Sequence, residues 1–262
     1  MDYADFGNTG LRVSRLSIGT GTSGWRGKSE QTALGLEGLS GLLCRAYDSG
    51  VTFWDTADGY GSHRHVARAL KTVPRDQVVI ATKTTARNEA RMEQDIERFL
   101  RELNTDVLDI VLMHCITQAK WEKRFAGAMA ALSRAKEQGK VRAVGISCHD
   151  LGALRTAAAS TWTEVVLVRI NYAGINMDGR PEGVTPIIEQ LYASGKAVYG
   201  MKVFGAGRLT QNPRAALEYV FKLGAVHAVT IGISNPEQLQ QDVRLVEEIA
   251  PQYPLEKYHQ AR

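Results

Sequence analysis

Cysteine is scarce in this chain of 262 residues, which contains Cys44, Cys115 and Cys148 alone. An odd count without regular spacing predicts neither a disulfide framework nor a zinc site. A chain of this length can bury a full core without such cross-links. The N-terminal decapeptide carries acidic residues and lacks the apolar stretch of a secretion signal. We therefore expect a protein of the reducing cytoplasm.

Long apolar runs and a strong excess of one charge are also missing. No stretch approaches the roughly 20 apolar residues that a membrane-spanning helix needs. The formal net charge is only +4, and Lys and Arg form no dense stripe, so neither a membrane nor nucleic acid is predicted as a partner. With 44% hydrophobic and 23% charged residues, the composition is globular. Without a low-complexity linker, one domain over residues 1–262 is predicted, and the oligomeric state stays open.

The chain does contain a regular alternation of apolar, strand-like runs with amphipathic segments. The runs are LSIGTG from 16, TFWDTA from 52, VVIATK from 78, VLDIVLMH from 107, VRAVGIS from 141, VVLVRIN from 165, AVYGMKVF from 197 and AVTIGIS from 228. Several are apolar at nearly every position, which is typical of strands buried on both faces. Eight strand–helix units favour an α/β fold, a closed (β/α)8 TIM barrel, and an open doubly wound sheet is the alternative.

The segments between the runs show helical period and end signals. Apolar residues fall on one helix face in two of them: Met92, Ile96, Phe99, Leu100 and Leu103, and later Leu239, Val243, Val246 and Ile249. Gly139 and Gly195 follow helical stretches where a left-handed cap is favoured, and Asn235 precedes Pro236 as an N-cap. The Asn8-Thr9-Gly10 turn in segment 2–15 predicts a hairpin that caps the bottom of the barrel.

Four polar residues follow the ends of neighbouring runs. Asp55 closes the second run, Tyr60 lies in the next loop, Lys83 ends the third run and His114 ends the fourth. Each alone has an ordinary explanation, such as a helix cap or a solvated cation. In a β/α barrel, however, chemistry sits at the C-terminal strand ends. Four such residues on one rim therefore predict a site.

Together, these four side chains can form a proton donor beside a group that polarises a carbonyl. A phenol with a pKa of about 10 is a poor acid near neutrality. We expect the Lys83 ammonium to lower the pKa of Tyr60, and the Asp55 carboxylate to keep that ammonium charged. His114 can donate a hydrogen bond to a carbonyl oxygen. No nucleophile–base pair is present, so acyl and phosphoryl transfer are not favoured.

FWDTADGYG at 53–61, together with the runs ending at Lys83 and His114 and VRAVGIS at 141–147, resembles the aldo-keto reductases. The likeness covers nearly the whole chain, from FGNTGLRVSRLSIGTG to IGISNPEQLQQD. It implies Asp55, Tyr60, Lys83 and His114 as the catalytic tetrad, with Tyr60 as the acid. It also implies hydride transfer from a reduced nicotinamide at the barrel mouth to an aldehyde, ketone or sugar-derived carbonyl.

The resemblance implies a nicotinamide site on the first strand ends. Gly19-Thr20-Gly21 matches the loop beside the nicotinamide, and Ser147 matches the serine that binds the carboxamide. Cys148 stands where the family often has Asn. Arg169 or Asn171 replaces the usual Gln for the same amide, and the choice between them stays open.

Further matches imply contacts with the rest of the cofactor. Met201 takes the place of the aromatic that usually stacks on the nicotinamide, and a thioether can pack on a ring. Phe204, Gly205 and Leu209 match the loop over the pyrophosphate. Lys202 is expected to face the cofactor, as is His149.

The segment IGISNPEQLQQD implies the adenosine contacts. Gly232 lies in it, and Ser234 and Gln238 stand where NADP-preferring relatives commonly carry Lys or Arg, which weakens selection of a 2′-phosphate. Relatives with Gln there also use NADP, so NADP(H) is the favoured cofactor and NAD(H) stays open. Gln241 and Asp242 match positions that contact the adenine.

The sequence defines the substrate-binding site less well than the cofactor site. The final segment PQYPLEKYHQAR is too short for the long C-terminal loop of many relatives, so an open site is expected. Trp25 and Trp121 are predicted to line it beside Tyr60 and His114, whereas Trp54 and Trp162 are predicted to be packing residues. Some bacterial relatives carry an iron–sulfur extension, and this chain lacks the cysteines for a cluster.

Two other functions compete with a carbonyl reductase. One is a cofactor-binding regulatory subunit of the same fold with little turnover, which the complete tetrad disfavours. The other is a metal-dependent barrel lyase or isomerase with Asp55 and His114 as ligands. A shortage of further His, Asp or Glu at the strand ends disfavours it.

Overall fold

The structure, a computed structural model, describes residues 1–255, and its centre is a closed barrel of eight parallel strands. Two short strands, β1 (Tyr3–Asp5) and β2 (Arg12–Ser14), precede it. The barrel strands are β3 (Leu16–Gly19), β4 (Phe53–Asp55), β5 (Val79–Thr84), β6 (Leu108–Ile116), β7 (Val141–Cys148), β8 (Val165–Arg169), β9 (Ala197–Met201) and β10 (Ala228–Gly232). Each predicted run forms one strand. Pairing of β10 with β3 closes the ring, so the (β/α)8 barrel is confirmed and the open sheet is wrong.

Helices follow the barrel strands. They are α1 (Gly35–Asp48), α2 (His63–Ala69), α3 (Glu89–Leu103), α4 (Trp121–Arg124), α5 (Ala126–Glu137), α6 (Leu151–Ala159), α7 (Pro181–Ala193), α8 (Pro213–Lys222) and α9 (Pro236–Ile249). The predicted apolar faces of α3 and α9 are buried, with Leu100 partly so. Gly139 and Gly195 have φ of +74° and +81°, and the Asn235 side chain caps α9. These local predictions are confirmed.

The predicted N-terminal hairpin is confirmed and closes one end of the barrel. β1 and β2 pair antiparallel around a turn that ends at Gly10, whose φ is +71°. Between them Phe6 is wholly buried, with its ring centroid 5.4 Å from that of Phe53 and 5.9 Å from that of Tyr199. Phe53 begins β4, so the N-terminal ends of the strands are sealed. A cavity is present at their C-terminal ends.

Apolar packing forms two layers. An inner cluster fills the barrel and includes Phe53, Ile110 and Leu112, while an outer one joins the barrel to the helices. Alternation of side chains along each strand sends neighbours into different layers. In the part of the chain described, every helix is too short or too polar to cross a bilayer.

Candidate active site

The structure brings the four predicted polar residues together at the open end of the barrel. The Lys83 ammonium lies 2.7 Å from an Asp55 carboxylate oxygen, and the Tyr60 hydroxyl lies 3.3 Å from Nε2 of His114. Lys83 Nζ is 5.2 Å from the centroid of the Tyr60 ring. Asp55 ends β4 as predicted, but β5 and β6 continue one residue past Lys83 and two past His114. The predicted juxtaposition is therefore present.

A buried ion pair forms the floor of this site. Lys83 is wholly buried and also donates to the Thr56 carbonyl at 2.8 Å. The Tyr199 hydroxyl donates to the second oxygen of Asp55 at 2.9 Å. Tyr199 was not predicted, because an aromatic residue in an apolar strand is usually a core residue. Burial lowers the pKa of Lys83, and the charge and hydrogen bond of Asp55 oppose that shift.

Tyr60 does not have the lowered pKa that the sequence led us to expect. Burial raises the pKa of its phenol well above 10, and the negative charge of Asp55 adds to the shift. The expectation that Lys83 would lower this pKa is wrong. The Lys83 ammonium lies near the ring, but its charge is partly balanced by Asp55 and does not overcome the effect of burial on the phenol. Tyr60 therefore stays protonated at physiological pH.

His114 is held as a neutral imidazole. Burial lowers its pKa well below 6.5, and the charges of Lys83, His149 and Arg87 lower it further. Its ring is nearly perpendicular to that of Tyr60, at 81°, with centroids 5.6 Å apart. The phenol oxygen and the imidazole Nε2 thus lie side by side. Together they can bind one oxygen atom of a ligand.

Glycines in the loop after β3 form a slot for the Tyr60 ring. A Cβ atom on Gly21 would lie 2.1 Å from Cε2 of Tyr60, and one on Gly24 would lie 2.4 Å from Cδ1. Gly61 has φ of +67°, and a Cβ there would lie 2.2 Å from the Gly27 carbonyl oxygen. The two loops are therefore packed backbone to backbone around the phenol.

We expect Gly61→Ala to destabilise the protein by about 1–3 kcal/mol, because Ala must adopt a left-handed conformation and displace Gly27. The displaced loop also frees the Tyr60 ring, so turnover should fall. Gly59→Ala is the matched control, since a Cβ at Gly59 meets no atom within 4 Å. Chemical denaturation of both variants measures the difference, and equal stabilities would contradict the packing described.

A cavity of about 400 Å³ extends from this site across the strand ends. Its lining includes Asp55 and Tyr60 from the site described above, and Ser234 and Gln238 from the segment after β10. Its lining contains predicted cofactor residues, namely Gly19, Gly21, Asp55, Met201, Lys202, Phe204, Gly232, Ser234 and Gln238. It also contains residues that were not predicted, namely Thr22, Ser23, Glu30, Leu167, Val203, Ala206, Gly207, Thr210, Thr230 and Ile231. Glycine-rich loops give no periodic signal that could have identified these positions.

Several predicted cofactor residues lie behind the lining and hold it in place. The Thr20 hydroxyl donates to the Asp55 carbonyl, and the buried Ser147 hydroxyl accepts from the amide of Cys115. Asn171 is wholly buried and donates to the carbonyls of Ile175 and Lys202. The structure therefore gives Thr20, Ser147 and Asn171 supporting positions.

Arg169 and His149, which were also predicted to face the cofactor, lie beside the mouth. Arg169 is paired with Asp178 through Nε at 2.7 Å. His149 Nε2 lies 3.7 Å from the Cys115 sulfur, and burial lowers its pKa to about 4. Neither lines the cavity. Lys202 does line it, as predicted.

The remaining predicted cofactor residues also lie outside the cavity lining. Gly205 and Leu209 are buried against each other, Gln241 is exposed on α9, and Asp242 is buried on the same helix.

Burial raises the pKa of Asp242 from 3.8 to about 7. The folded protein therefore holds this proton more tightly than the unfolded chain. Stability falls as pH rises through this interval and stays reduced above the folded pKa.

We expect Asp242→Asn to raise the melting temperature at pH 8 by about 2–4 °C, equivalent to roughly 1 kcal/mol. Near pH 4, where the folded carboxyl is already neutral, wild type and variant should melt together. Thermal unfolding followed by circular dichroism at both pH values checks this. A variant that gains the same amount at both would show that the buried charge is not the cause.

The two tryptophans predicted at the mouth have different positions. Trp25 is 64% exposed in the loop after β3, where it can contact a ligand. Trp121 is wholly buried, donates to the Ala153 carbonyl at 3.3 Å and packs against Trp162. The prediction for Trp121 is wrong, because α4 turns this indole into the helix layer. Trp54 is wholly buried and Trp162 partly buried, so both are packing residues as predicted.

Among residues 1–255, no three His, Cys, Asp or Glu side chains are grouped so that they could hold a metal ion. Cys44, Cys115 and Cys148 are free thiols. Asp55 and His114, the ligands of the alternative metal site, are instead engaged with Lys83 and Tyr60.

Comparisons with known proteins agree with this geometry. The sequence profile of the Aldo/keto reductase family matches residues 15–215. Aldo-keto reductase YhdN of Bacillus subtilis is 32% identical over a segment that covers 61% of this chain and half of that protein. L-galactose dehydrogenase of Arabidopsis thaliana is 24% identical over 93% of this chain and 87% of that protein.

A solved structure shares the fold over almost its full length. This is PA4992 of Pseudomonas aeruginosa, described as a candidate aldo-keto reductase, with a TM-score of 0.78 and 25% identity. The superposition covers 94% of this chain and 95% of that one. The profile match spans most of the barrel and includes all four clustered polar residues. The chain belongs to the aldo/keto reductase family of oxidoreductases.

Proposed function

We propose that the protein reduces the carbonyl group of small aldehydes, ketones or sugar-derived substrates to an alcohol with a nicotinamide dinucleotide, and that Tyr60 is the proton donor. The observation that carries this proposal is the pairing of Tyr60 and His114, 3.3 Å apart above the buried Lys83–Asp55 pair. Tyr60 lines the cavity at the strand ends, and His114 lies beside Tyr60. We also propose a reducing, cytoplasmic setting, which suits three free thiols.

The cavity lining fits a dinucleotide. Lys202 lines it, and its ammonium has no hydrogen bond or ion pair within residues 1–255. The Thr230 hydroxyl, also in the lining, is buried without a hydrogen-bond partner. An unpaired cation suits a pyrophosphate, so Lys202 would hold that group, and Gly19 and Gly21 leave room beside Tyr60. When bound, the reduced nicotinamide supplies the hydride.

In the proposed mechanism, the substrate oxygen lies between the Tyr60 hydroxyl and Nε2 of His114. The neutral imidazole donates a hydrogen bond through Nε2 and polarises the carbonyl. As negative charge develops on the oxygen, Tyr60 transfers its proton to it. The Lys83 ammonium, 5.2 Å from the ring centroid, then stabilises the phenolate, and Asp55 keeps that ammonium charged. The phenolate regains a proton from solvent before the next turnover.

The raised pKa of Tyr60 is compatible with this role. An alkoxide is a stronger base than a phenolate, so proton transfer is favourable once charge has built up on the substrate oxygen. Before that, the buried phenol keeps its proton and acts only as a hydrogen-bond donor. Proton transfer is thereby coupled to reduction of the carbonyl.

The test has two stages. Calorimetric titration with NADH and NADPH measures cofactor binding, and a panel of aldehydes and ketones then measures consumption of the reduced nicotinamide. We expect binding of at least one dinucleotide and steady turnover of at least one carbonyl. Failure to bind either dinucleotide would refute the proposal. Binding without turnover across the panel would instead support the regulatory-subunit alternative.

A further inference from the structure

Strand β6 is irregular at the point where it carries His114. Its pairing with β5 ends at Met113, and its register with β7 shifts between Met113 and Ile116. Cys115 lies within this shift and has φ of +56°, in the left-handed region. His114 therefore lies at a β-bulge, where the strand ladder leaves backbone polar groups unpaired. The direction of its imidazole depends on the contacts that hold this bulge.

Arg87, in the loop after β5, binds the carbonyl groups of the bulge. Its Nη2 atom donates to the carbonyl oxygen of His114 and, at 3.4 Å, to that of Cys115. Its Nη1 atom donates to the Ala86 carbonyl at 3.0 Å, within its own loop. The guanidinium therefore joins the loop after β5 to the backbone that carries the His114 imidazole.

Contacts with β7 hold the bulge from its other side. The Cys115 amide donates to the Ser147 hydroxyl at 3.2 Å. The His149 amide, just beyond the end of β7, donates to the Ile116 carbonyl at 2.9 Å. The amide side of the bulge is thus held by β7, and its carbonyl side is held by Arg87.

The charge of Arg87 is not balanced by a carboxylate. In the described part of the chain all of its hydrogen bonds go to backbone carbonyls. The side chain is half-buried, and its Cζ lies 5.0 Å from the centroid of the Phe125 ring. A partly buried cation without a carboxylate costs free energy, so packing alone would favour a neutral residue. The charge instead strengthens the hydrogen bonds to the two carbonyls of the bulge.

We propose that Arg87 is a positioning residue for carbonyl reduction, and that it holds the bulge so that Nε2 of His114 lies beside the Tyr60 hydroxyl. Arg87 lies outside the cavity lining, so it acts through His114 and not on the substrate. The inference rests on the proposed function, in which the substrate oxygen lies between His114 and Tyr60. Without the guanidinium the bulge can relax, and a misplacement of about 1 Å at a reacting group lowers turnover by about 10²-fold.

Steady-state kinetics with a carbonyl substrate and calorimetry with the dinucleotide test this inference. We expect Arg87→Met to lower kcat by about 10–100-fold, because the imidazole is displaced, and to leave the dinucleotide Kd within about twofold. Arg87→Lys should recover part of the turnover, because an ammonium also donates to carbonyls. Wild-type turnover in Arg87→Met would overturn the inference.

Arg124→Met is the matched control. The Arg124 guanidinium also lies on the Phe125 ring, with its Cζ 5.9 Å from the centroid, but it is exposed and donates to the Gln118 side chain. The control removes the same charge and the same ring contact without touching the bulge. Its turnover should stay within about twofold of wild type. A loss as large as that of Arg87→Met would overturn the assignment to the bulge.

A double-mutant cycle with His114→Gln distinguishes positioning from a general structural role. If Arg87 acts through His114, Arg87→Met should lower the single-turnover rate of the His114→Gln enzyme by less than about twofold. A loss of 10–100-fold in both backgrounds would overturn the inference. Arg87→Gln takes the place of Arg87→Met in the cycle if the latter does not fold. If wild type binds neither NADH nor NADPH, the proposed function itself fails, and that outcome is seen before any variant is compared.

Discussion

Replacing Tyr60 by Phe should lower the turnover of carbonyl substrates by about 10²–10⁴-fold, the usual contribution of a positioned general acid. The Phe ring fits the slot formed by Gly21 and Gly24, because the ring contacts do not involve the hydroxyl. Dinucleotide affinity should therefore stay within about twofold, since the transferable proton is removed but the cavity wall is not. The loss should appear in the rate of the reduction step and not in cofactor binding.

Steady-state kinetics and calorimetry on the same preparations separate these effects. Tyr199→Phe is the matched control, because it also removes a buried phenol hydroxyl but that hydroxyl binds Asp55 and not the substrate position. We expect this control to keep turnover within about tenfold of wild type, a loss equivalent to one hydrogen bond of roughly 1 kcal/mol. Normal turnover by Tyr60→Phe would remove Tyr60 from the role of proton donor.

The fold and the position of the site could be predicted because both follow from short-range patterns. Doubly buried parallel strands have to be apolar along their length, so polar residues at their C-terminal ends are conspicuous. Asp55, Lys83 and His114 stand out for this reason. Parallel strands in sequence order also bring their ends together on one rim, so the sequence order of these residues predicts their proximity.

Properties that depend on packing across the barrel could not be predicted. Tyr199 belongs to β9, three strands from β4 around the ring, and nothing local shows that its hydroxyl reaches Asp55. The pKa of Tyr60 was expected to fall, but burial and the negative charge of Asp55 raise it. Trp121 follows the β6 strand, where a loop was expected, and the α4 turn buries it instead.

The contact between the loops after β3 and β10 shows the same limit. Glu30 and Gln31 lie in a loop with no hydrophobic period, so the sequence contains no sign that one lines a cavity and the other joins two loops. Only the closed ring, which places β10 beside β3, brings Gln31 next to Ser234. The contact between these two loops is therefore a property of the fold.

Replacing Lys83 by Met should reduce both stability and turnover. The ammonium is wholly buried and bonded to Asp55 at 2.7 Å, so its removal leaves a buried carboxylate without a cation. Such unpaired charges cost about 3–5 kcal/mol of unfolding free energy. The phenolate that Tyr60 leaves after proton transfer also loses its neighbouring positive charge. We expect turnover to fall by about 10²–10³-fold, as when a preorganised donor is removed from an active site.

A second substitution distinguishes these two losses. Asp55→Asn in the Lys83→Met chain removes the unpaired charge but keeps a polar group for the Tyr199 hydroxyl. We expect the double variant to recover most of the unfolding free energy in chemical denaturation, because no buried charge remains. Turnover should stay low, because no cation is left near the Tyr60 ring. If turnover returned together with stability, Lys83 would be a structural residue, and the phenolate would have to be stabilised by another group.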